Sequence, residues 1–310
     1  DQLDFGGILL TEIVNALGYG FATNSYSKTG LAIVQGREDI LDLVNIYTAE
    51  KGAPDRVFVT GASEGGIITT QLIEQNPALF TAGLAACGPI GNFPFQINYF
   101  GDARVIFEVF FHGLIPGDLF NPPQDIVDDW ANYYETTVKP VVFDPANRGK
   151  LNQWVAVAKL PFDAADYLNT VEISVKDVLR YNVVNSVDAT ATLGGFPYDN
   201  STRYYTGSAN DVLLNILVQR FSADPAAVQE MKNNYRTTGQ LDIPLVTIHT
   251  TKDQQVPYLH QQIYTLKTLA SGDLGSNHIP IPVDRFEHCN FELSEILTAL
   301  ILTLQLGGGI

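Results

Sequence analysis

Apolar positions along the 310-residue chain fall into three stretches of different rhythm. In the first, helical and extended patterns alternate. Ile8 to Leu17 has the spacing of a helix stopped by Gly18, and Phe21 to Tyr26 that of a short strand. Glu38 to Tyr47 carries apolar residues at 40, 41, 43, 44 and 47, the period of a helix with one buried face. Arg56 to Thr60 is a compact run rich in β-branched residues and predicts a strand. Ser63 to Glu74 predicts a helix and Gly83 to Cys87 a second strand. Strand, helix, strand at this rhythm implies a parallel sheet with crossover helices.

The alternation stops from about Gly91 to Gly239. This stretch is aromatic-rich, with Phe93, Phe95, Tyr99, Phe100, Phe107, Phe110, Phe111, Trp130, Tyr133, Tyr134 and Trp154. Asp211 to Phe221 and Asp224 to Tyr235 have helical spacing, while Pro122-Pro123 and Gly194-Gly195 mark loops. The alternation then returns. Pro244 to His249 reads as a strand, Tyr258 to Leu269 as a helix, Ile279 to Val283 as a strand and Phe291 to Leu306 as the last helix. The expected fold is α/β: a core from residues 1–91 and 241–310, interrupted by a helical cap or lid over 92–240. No internal repeat or low-complexity tract is visible.

Composition narrows the function. A net charge of -16 disfavours nucleic acid, whose phosphates call for a basic face. No apolar run is long enough to span a membrane. Two cysteines, Cys87 and Cys289, make neither a zinc framework nor a disulfide-rich scaffold. No His/Cys/carboxylate cluster has ligand spacing, and acid pairs such as Asp128-Asp129 read as solvated faces, so no metal and no cofactor is expected. The chain opens on Asp1-Gln2-Leu3-Asp4, which is not a signal peptide and has no initiating Met.

The strongest chemical signal is Gly61-Ala62-Ser63-Glu64-Gly65, followed by Gly66, between a predicted strand and a predicted helix. A sharp turn there strains the serine backbone, needs small neighbours, and lifts the hydroxyl above the sheet edge. It also sets the Glu64 backbone N–H at a helix N-terminus, where it can stabilise an oxyanion. The plainer reading, a Gly-rich turn with an incidental serine, explains the motif but not its context. A serine needs a base, and the base an orienting acid. His249 lies inside an apolar strand, His260 in a helix, His112 in the insertion and His278 on the entry side of a strand. His288 follows the last strand, at the carboxyl edge where open parallel sheets gather their functional groups. Asp253 follows the penultimate strand at the same edge. Its rivals Asp284 and Glu287 are sequence neighbours of His288 and badly placed to point back at it. Nucleophile Ser63, acid Asp253 and base His288 then stand in the chain order of an α/β-hydrolase.

The Gly-Ala-Ser63-Glu-Gly elbow, the Asp253-Gln-Gln-Val-Pro turn and the Glu-His288-Cys turn together resemble the α/β-hydrolase superfamily, most of all its esterase and prolyl-oligopeptidase-like branches. The resemblance covers about residues 8–90 and 241–306. It implies acyl transfer through an acyl-enzyme on Ser63. It also implies two or three strands before the first helix, with a second oxyanion donor on one of their loops. These strands are not found in this sequence. A second chain or an upstream segment is expected to supply them. In tannase-like and fungal feruloyl esterases a disulfide joins the residue before the serine to the residue after the histidine. Here Ala62 precedes Ser63, so the match is incomplete; two buried free thiols are the favoured reading, with a Cys87–Cys289 bridge as the alternative. Asn200-Ser201-Thr202 fits a glycosylation sequon, a triplet common by chance. Sequon and disulfide together lean toward a secreted or periplasmic setting.

Three functions remain. The first is a carboxylic-ester hydrolase acting on a small-molecule ester, including aromatic or feruloyl types. Phe93, Phe95, Tyr99 and Phe100, the first aromatics to leave the sheet, are its expected pocket. The second is a prolyl-oligopeptidase-like serine peptidase, which needs a polar clamp that the sequence does not display. The third is a non-catalytic hydrolase-fold binding protein, disfavoured because all three triad candidates are present.

Overall fold

The computed structural model of the chain describes residues 4–5, 8–273 and 275–309; the opening Asp1-Gln2-Leu3 lies outside them. Two short strands, β1 (Asp4–Phe5) and β2 (Ile8–Leu9), pair antiparallel and lead into α1 (Leu10–Ala16). The helix expected from Ile8 therefore starts two residues later. The strand expected over 21–26 is absent, and the segment is irregular. A strand exists only by pairing, and among the described residues this extended pattern finds no neighbour. α2 (Ile33–Lys51) is longer than its apolar pattern, because its first turn already buries Ile33 and Gly36.

The main sheet follows. β3 (Phe58–Ala62), α3 (Glu64–Gln75) and β4 (Ala82–Ala86) form the first crossover unit. The chain then leaves the sheet through α4 (Phe93–Phe110), α5 (Gln124–Asp128), α6 (Trp130–Tyr133), α7 (Lys139–Val142), α8 (Arg148–Ala158), α9 (Tyr167–Thr192), α10 (Asp211–Leu217) and α11 (Pro225–Asn234). It returns with β5 (Leu245–Lys252), α12 (Leu259–Ala270), β6 (His278–Phe286) and α13 (Leu293–Leu306). The four strands are parallel in the order β3-β4-β5-β6. With the serine elbow after β3 and the Ser, Asp, His order along the chain, this is an α/β-hydrolase fold carrying a helical insertion.

Among the described residues, three apolar clusters hold it together. One lies on the α2, α3 and α12 side of the sheet around Ile33, Ile67, Leu72 and Tyr264. Another lies under α13, around Val246, Ile248 and Leu300. The third belongs to the helical segment and absorbs most of its aromatics, Phe107, Phe111, Trp130, Tyr134 and Trp154 among them. Trp154 ties α8 to α4 by ring contact with Phe107, centroids 4.8 Å apart, and by donating Nε1–H to Ala103 O at 2.9 Å. α9 is the spine of this segment: 26 residues, about 39 Å at helical rise. Its buried positions 170, 171, 174, 175, 178, 179, 182 and 183 recur at the period of one helical stripe.

Candidate active site

Ser63 sits between β3 and α3 with φ 57° and ψ -121°, a conformation that costs an L-residue of order 1–3 kcal/mol. Its neighbours make the turn possible. A Cβ on Gly61 would run into the Gly65 backbone, and one on Gly66 would lie 2.8 Å from Ala86 O. Ser63 N–H donates to Ala86 O at 2.9 Å, closing the elbow onto the end of β4. Glu64 opens α3, so its N–H belongs to a first turn whose donors have no partner within the helix.

His288 lies on the loop after β6. Its Nε2 is 2.9 Å from Ser63 Oγ and its Nδ1 is 2.8 Å from Asp253 Oδ2. Three restraints hold the loop. Thr250 Oγ1–H donates to Glu287 O at 2.9 Å. Glu287 and Cys289, on either side of His288, both take positive φ, 88° and 52°. Cys289 is joined by a disulfide to Cys87, 202 residues away, with Cα atoms 5.5 Å apart. In this structure Cys289 pairs with Cys87 and not with position 62, whereas the sequence alone favours two free thiols.

Asp253, beyond β5, is fully buried. Its Oδ1 accepts from Gln255 N–H at 2.9 Å and Val256 N–H at 2.8 Å. Its Oδ2 faces His288 and, at 3.3 Å, His249 Nε2. Burial pushes this carboxyl up, but the charge of His288 and hydrogen bonds from His249 and His288 outweigh it and hold the pKa at about 2. Asp253 is therefore an acceptor only, which makes His288 Nδ1 the donor and leaves its Nε2 lone pair to accept Ser63 Oγ–H.

The other histidines serve different ends. His260 Nδ1 accepts from Gly91 N–H at 3.2 Å and Asn92 N–H at 3.3 Å, and burial pushes its pKa down to about 3. His278 opens β6 beside Thr247 and is pushed by burial to about 4. His112 is exposed and pairs with Glu108. His249, expected to be a satisfied core residue, is buried but leaves Nδ1 without a partner among the described residues, and its Nε2 touches Asp253. Since Val256 O accepts from its Nε2 at 2.8 Å, that nitrogen carries the proton. Asp284 is exposed and bonded to Thr251 and Lys252, whereas the His288 Nδ1 partner is Asp253. The sulfurs of Cys87 and Cys289 lie near His288 but are consumed in the disulfide and offer a metal no thiolate. Asn200 of the sequon is 1% exposed; its Nδ2–H donates to Gln219 O and its Oδ1 accepts from Phe221 N–H, so it presents no group to a glycan.

A cavity of about 210 Å³ opens beside Ser63, under α4 and α9. Phe93 and Phe100 line it, as expected. Phe95 and Tyr99 do not: Phe95 packs on the His260 ring, and buried Tyr99 donates its OH to Gln254 O at 2.8 Å. The reason is helical period. Capped by Asn92, α4 turns 93, 96, 97, 100 and 101 toward the cavity and carries 95 and 99 past it. Gln96 and Ile97 were thus recoverable once the helix start was known. Tyr181, Asn182 and Asn185 of α9 also line the cavity, and no local signal in the sequence assigns them there.

No family model matches the chain, and no curated protein sequence matches it. Among solved structures it is similar to an acylaminoacyl peptidase of Pyrococcus horikoshii, with 13% identity, a TM-score of 0.32, and coverage of 83% of this chain and 25% of that one. It is also similar to Candida antarctica lipase A in its closed state (16% identity, TM-score 0.44, 90% of this chain and 55% of that one). A monoacylglycerol lipase of Paleococcus ferrophilus gives 10% identity and a TM-score of 0.42 over 97% of this chain and 88% of that one. The chain spans about a quarter of the length of the acylaminoacyl peptidases it matches, 24% and 25%.

Proposed function

We propose that the chain is a serine hydrolase that cleaves carboxylic esters through an acyl-enzyme on Ser63. The observation that carries this reading is the continuous line Ser63 Oγ, His288 Nε2, His288 Nδ1, Asp253 Oδ2, with links of 2.9 and 2.8 Å. Ser63 Oγ attacks the ester carbonyl carbon as its proton passes to His288 Nε2. Asp253 holds the resulting imidazolium, and the Glu64 N–H stabilises the tetrahedral oxyanion. His288 then returns the proton to the departing alcohol. Water, deprotonated by His288, attacks the acyl-enzyme and releases the acid, restoring Ser63–OH.

An ester rather than a peptide N-terminus is favoured by how the acidic groups near the cavity are used. Glu64 Oε1 accepts from Ala32 N–H at 2.7 Å, and Asp188 Oδ2 from Leu31 N–H at 2.7 Å while pairing with Lys28. One oxygen of each carboxylate is thereby taken by a backbone N–H of this chain and is not left for a substrate ammonium. Residues 92–240 serve as the cap, excluding water and presenting Phe93 and Phe100 to the acyl group.

The test is a panel of p-nitrophenyl, feruloyl and aminoacyl amide substrates with the wild type and Ser63→Ala. Ester turnover that falls at least about 10⁴-fold in the variant, with unchanged circular dichroism, is the expected result. Amide turnover exceeding ester turnover would replace the esterase reading with the peptidase one. No turnover of any substrate would leave a binding protein.

A further inference from the structure

The cavity beside Ser63 is mostly apolar, yet it holds buried polar atoms that find no partner among the described residues. Asn182 on α9 lines it, is 1% exposed, and has no partner for either Oδ1 or Nδ2 among the described residues. Gln96 on α4, 6% exposed, uses its Nε2–H on Gln255 O at 2.8 Å and leaves Oε1 unbonded. Asn185, one turn beyond Asn182, leaves Oδ1 unbonded as well. An unpaired buried polar group costs about 1–3 kcal/mol, and native proteins retain few of them without a reason.

Two other polar residues of α9, Ser186 and Thr190, do not share this condition. Ser186 Oγ–H donates to Asn182 O at 2.5 Å and Thr190 Oγ1–H to Ser186 O at 2.9 Å, both back onto their own helix. Asn182 differs in that both ends of its amide are open among the described residues: two donors and an acceptor, desolvated, lining the same cavity as the serine. Around it stand Phe93, Phe100 and Tyr181, the last two rings stacked with centroids 4.7 Å apart. At about 210 Å³ the space is below the roughly 300–1,000 Å³ of sites for drug-sized ligands, which suits one ring rather than a long lipid chain.

We infer that Asn182, assisted by Gln96, is a specificity residue that selects acyl groups bearing a hydroxyl on an aromatic body, over the plain hydrocarbon of the same shape. This rests on the esterase reading above. A hydroxyl completes the donor and acceptor left open by Asn182 and Gln96, whereas a methyl in its place leaves them buried and unpaired. Sites built to bond a substrate hydroxyl reject the analogue lacking it far more strongly than apolar pockets reject a methylene.

The experiment compares kcat/KM for methyl 3-(4-hydroxyphenyl)propanoate and methyl 3-(4-methylphenyl)propanoate, which differ only in OH against CH₃. The wild type should favour the hydroxylated ester at least about tenfold, and Asn182→Leu should bring the ratio below one. A wild-type ratio near one overturns the inference whatever the variant does. An unchanged ratio in a folded Asn182→Leu protein overturns the assignment to Asn182. The two free acids are also tested as ligands by their shift of Tm. If neither ester turns over, the esterase reading fails, and the acids alone judge the cavity: a larger shift from the hydroxylated acid upholds the inference, and equal shifts, as for a site that holds only water, overturn it.

Discussion

Asp253 is where the reactive line becomes more than three residues. Its carboxylate takes four contacts: two backbone N–H groups on Oδ1, and His288 and His249 on Oδ2. Replacing it by Asn puts an amide N–H or a weaker acceptor against His288 and favours the wrong imidazole tautomer. Asp253→Asn should therefore cost roughly 10⁴-fold in kcat. A loss below tenfold in steady-state kinetics would remove Asp253 from the mechanism. Ser63, Asp253 and His288 were each legible because each follows a strand at its carboxyl end, a position that local pattern reveals. The contact of His249 was not. It depends on the turn after Lys252 folding the acid back over its own strand, which no spacing rule encodes.

At the scale of elements, the loop carrying His288 is held by a covalent tie to the end of β4. Closing a loop of 202 residues restricts the unfolded chain by an amount worth on the order of 5 kcal/mol in the chain-entropy picture, with measured disulfides typically at 2–4. The Cys87→Ala/Cys289→Ala protein should unfold at lower denaturant by about 2–4 kcal/mol, read from urea transitions. Its kcat should also fall, because Cys289 is the residue that fixes the imidazole's exit from the loop. Full activity in a destabilised double variant would confine the bridge to stability. The elements themselves were legible where they pair or bury a stripe: β3, β4, β5 and the helices around them. The segment 21–26 was not, because an extended pattern becomes a strand only when a neighbour is present. Phe95 and Tyr99 fail as cavity residues for a similar reason: order along the chain predicts nearness, whereas helical phase decides direction.

Across the whole molecule, burial holds two histidines in neutral form, His260 on α12 at about 3 and His278 on β6 at about 4 against an ordinary 6.5. Between those values and 6.5 the unfolded chain binds more protons than the folded one, so stability falls as pH drops through this window. The slope approaches about 1.4 kcal/mol per pH unit for each group. Asp253 acts in a lower window: its depressed pKa stabilises the fold above the ordinary carboxylate value and is lost only as pH falls toward about 2. Urea midpoints should decline from pH 6.5 to 4, and His278→Gln should flatten the decline. An identical pH slope in that variant would show that His278 is not neutral in the fold. Sequence alone determined the alternation of strands and helices, the helical interruption, the serine elbow and the chain order of nucleophile, acid and base, because all of these are written in local periodicity and turn chemistry. Only the tertiary structure decided that Cys87 meets Cys289, that His249 supports Asp253, and that Asn182 on a helix more than a hundred residues from Ser63 shares its cavity. Those are contacts between distant segments, fixed by how α4 and α9 pack over the sheet and not by any residue's immediate neighbours.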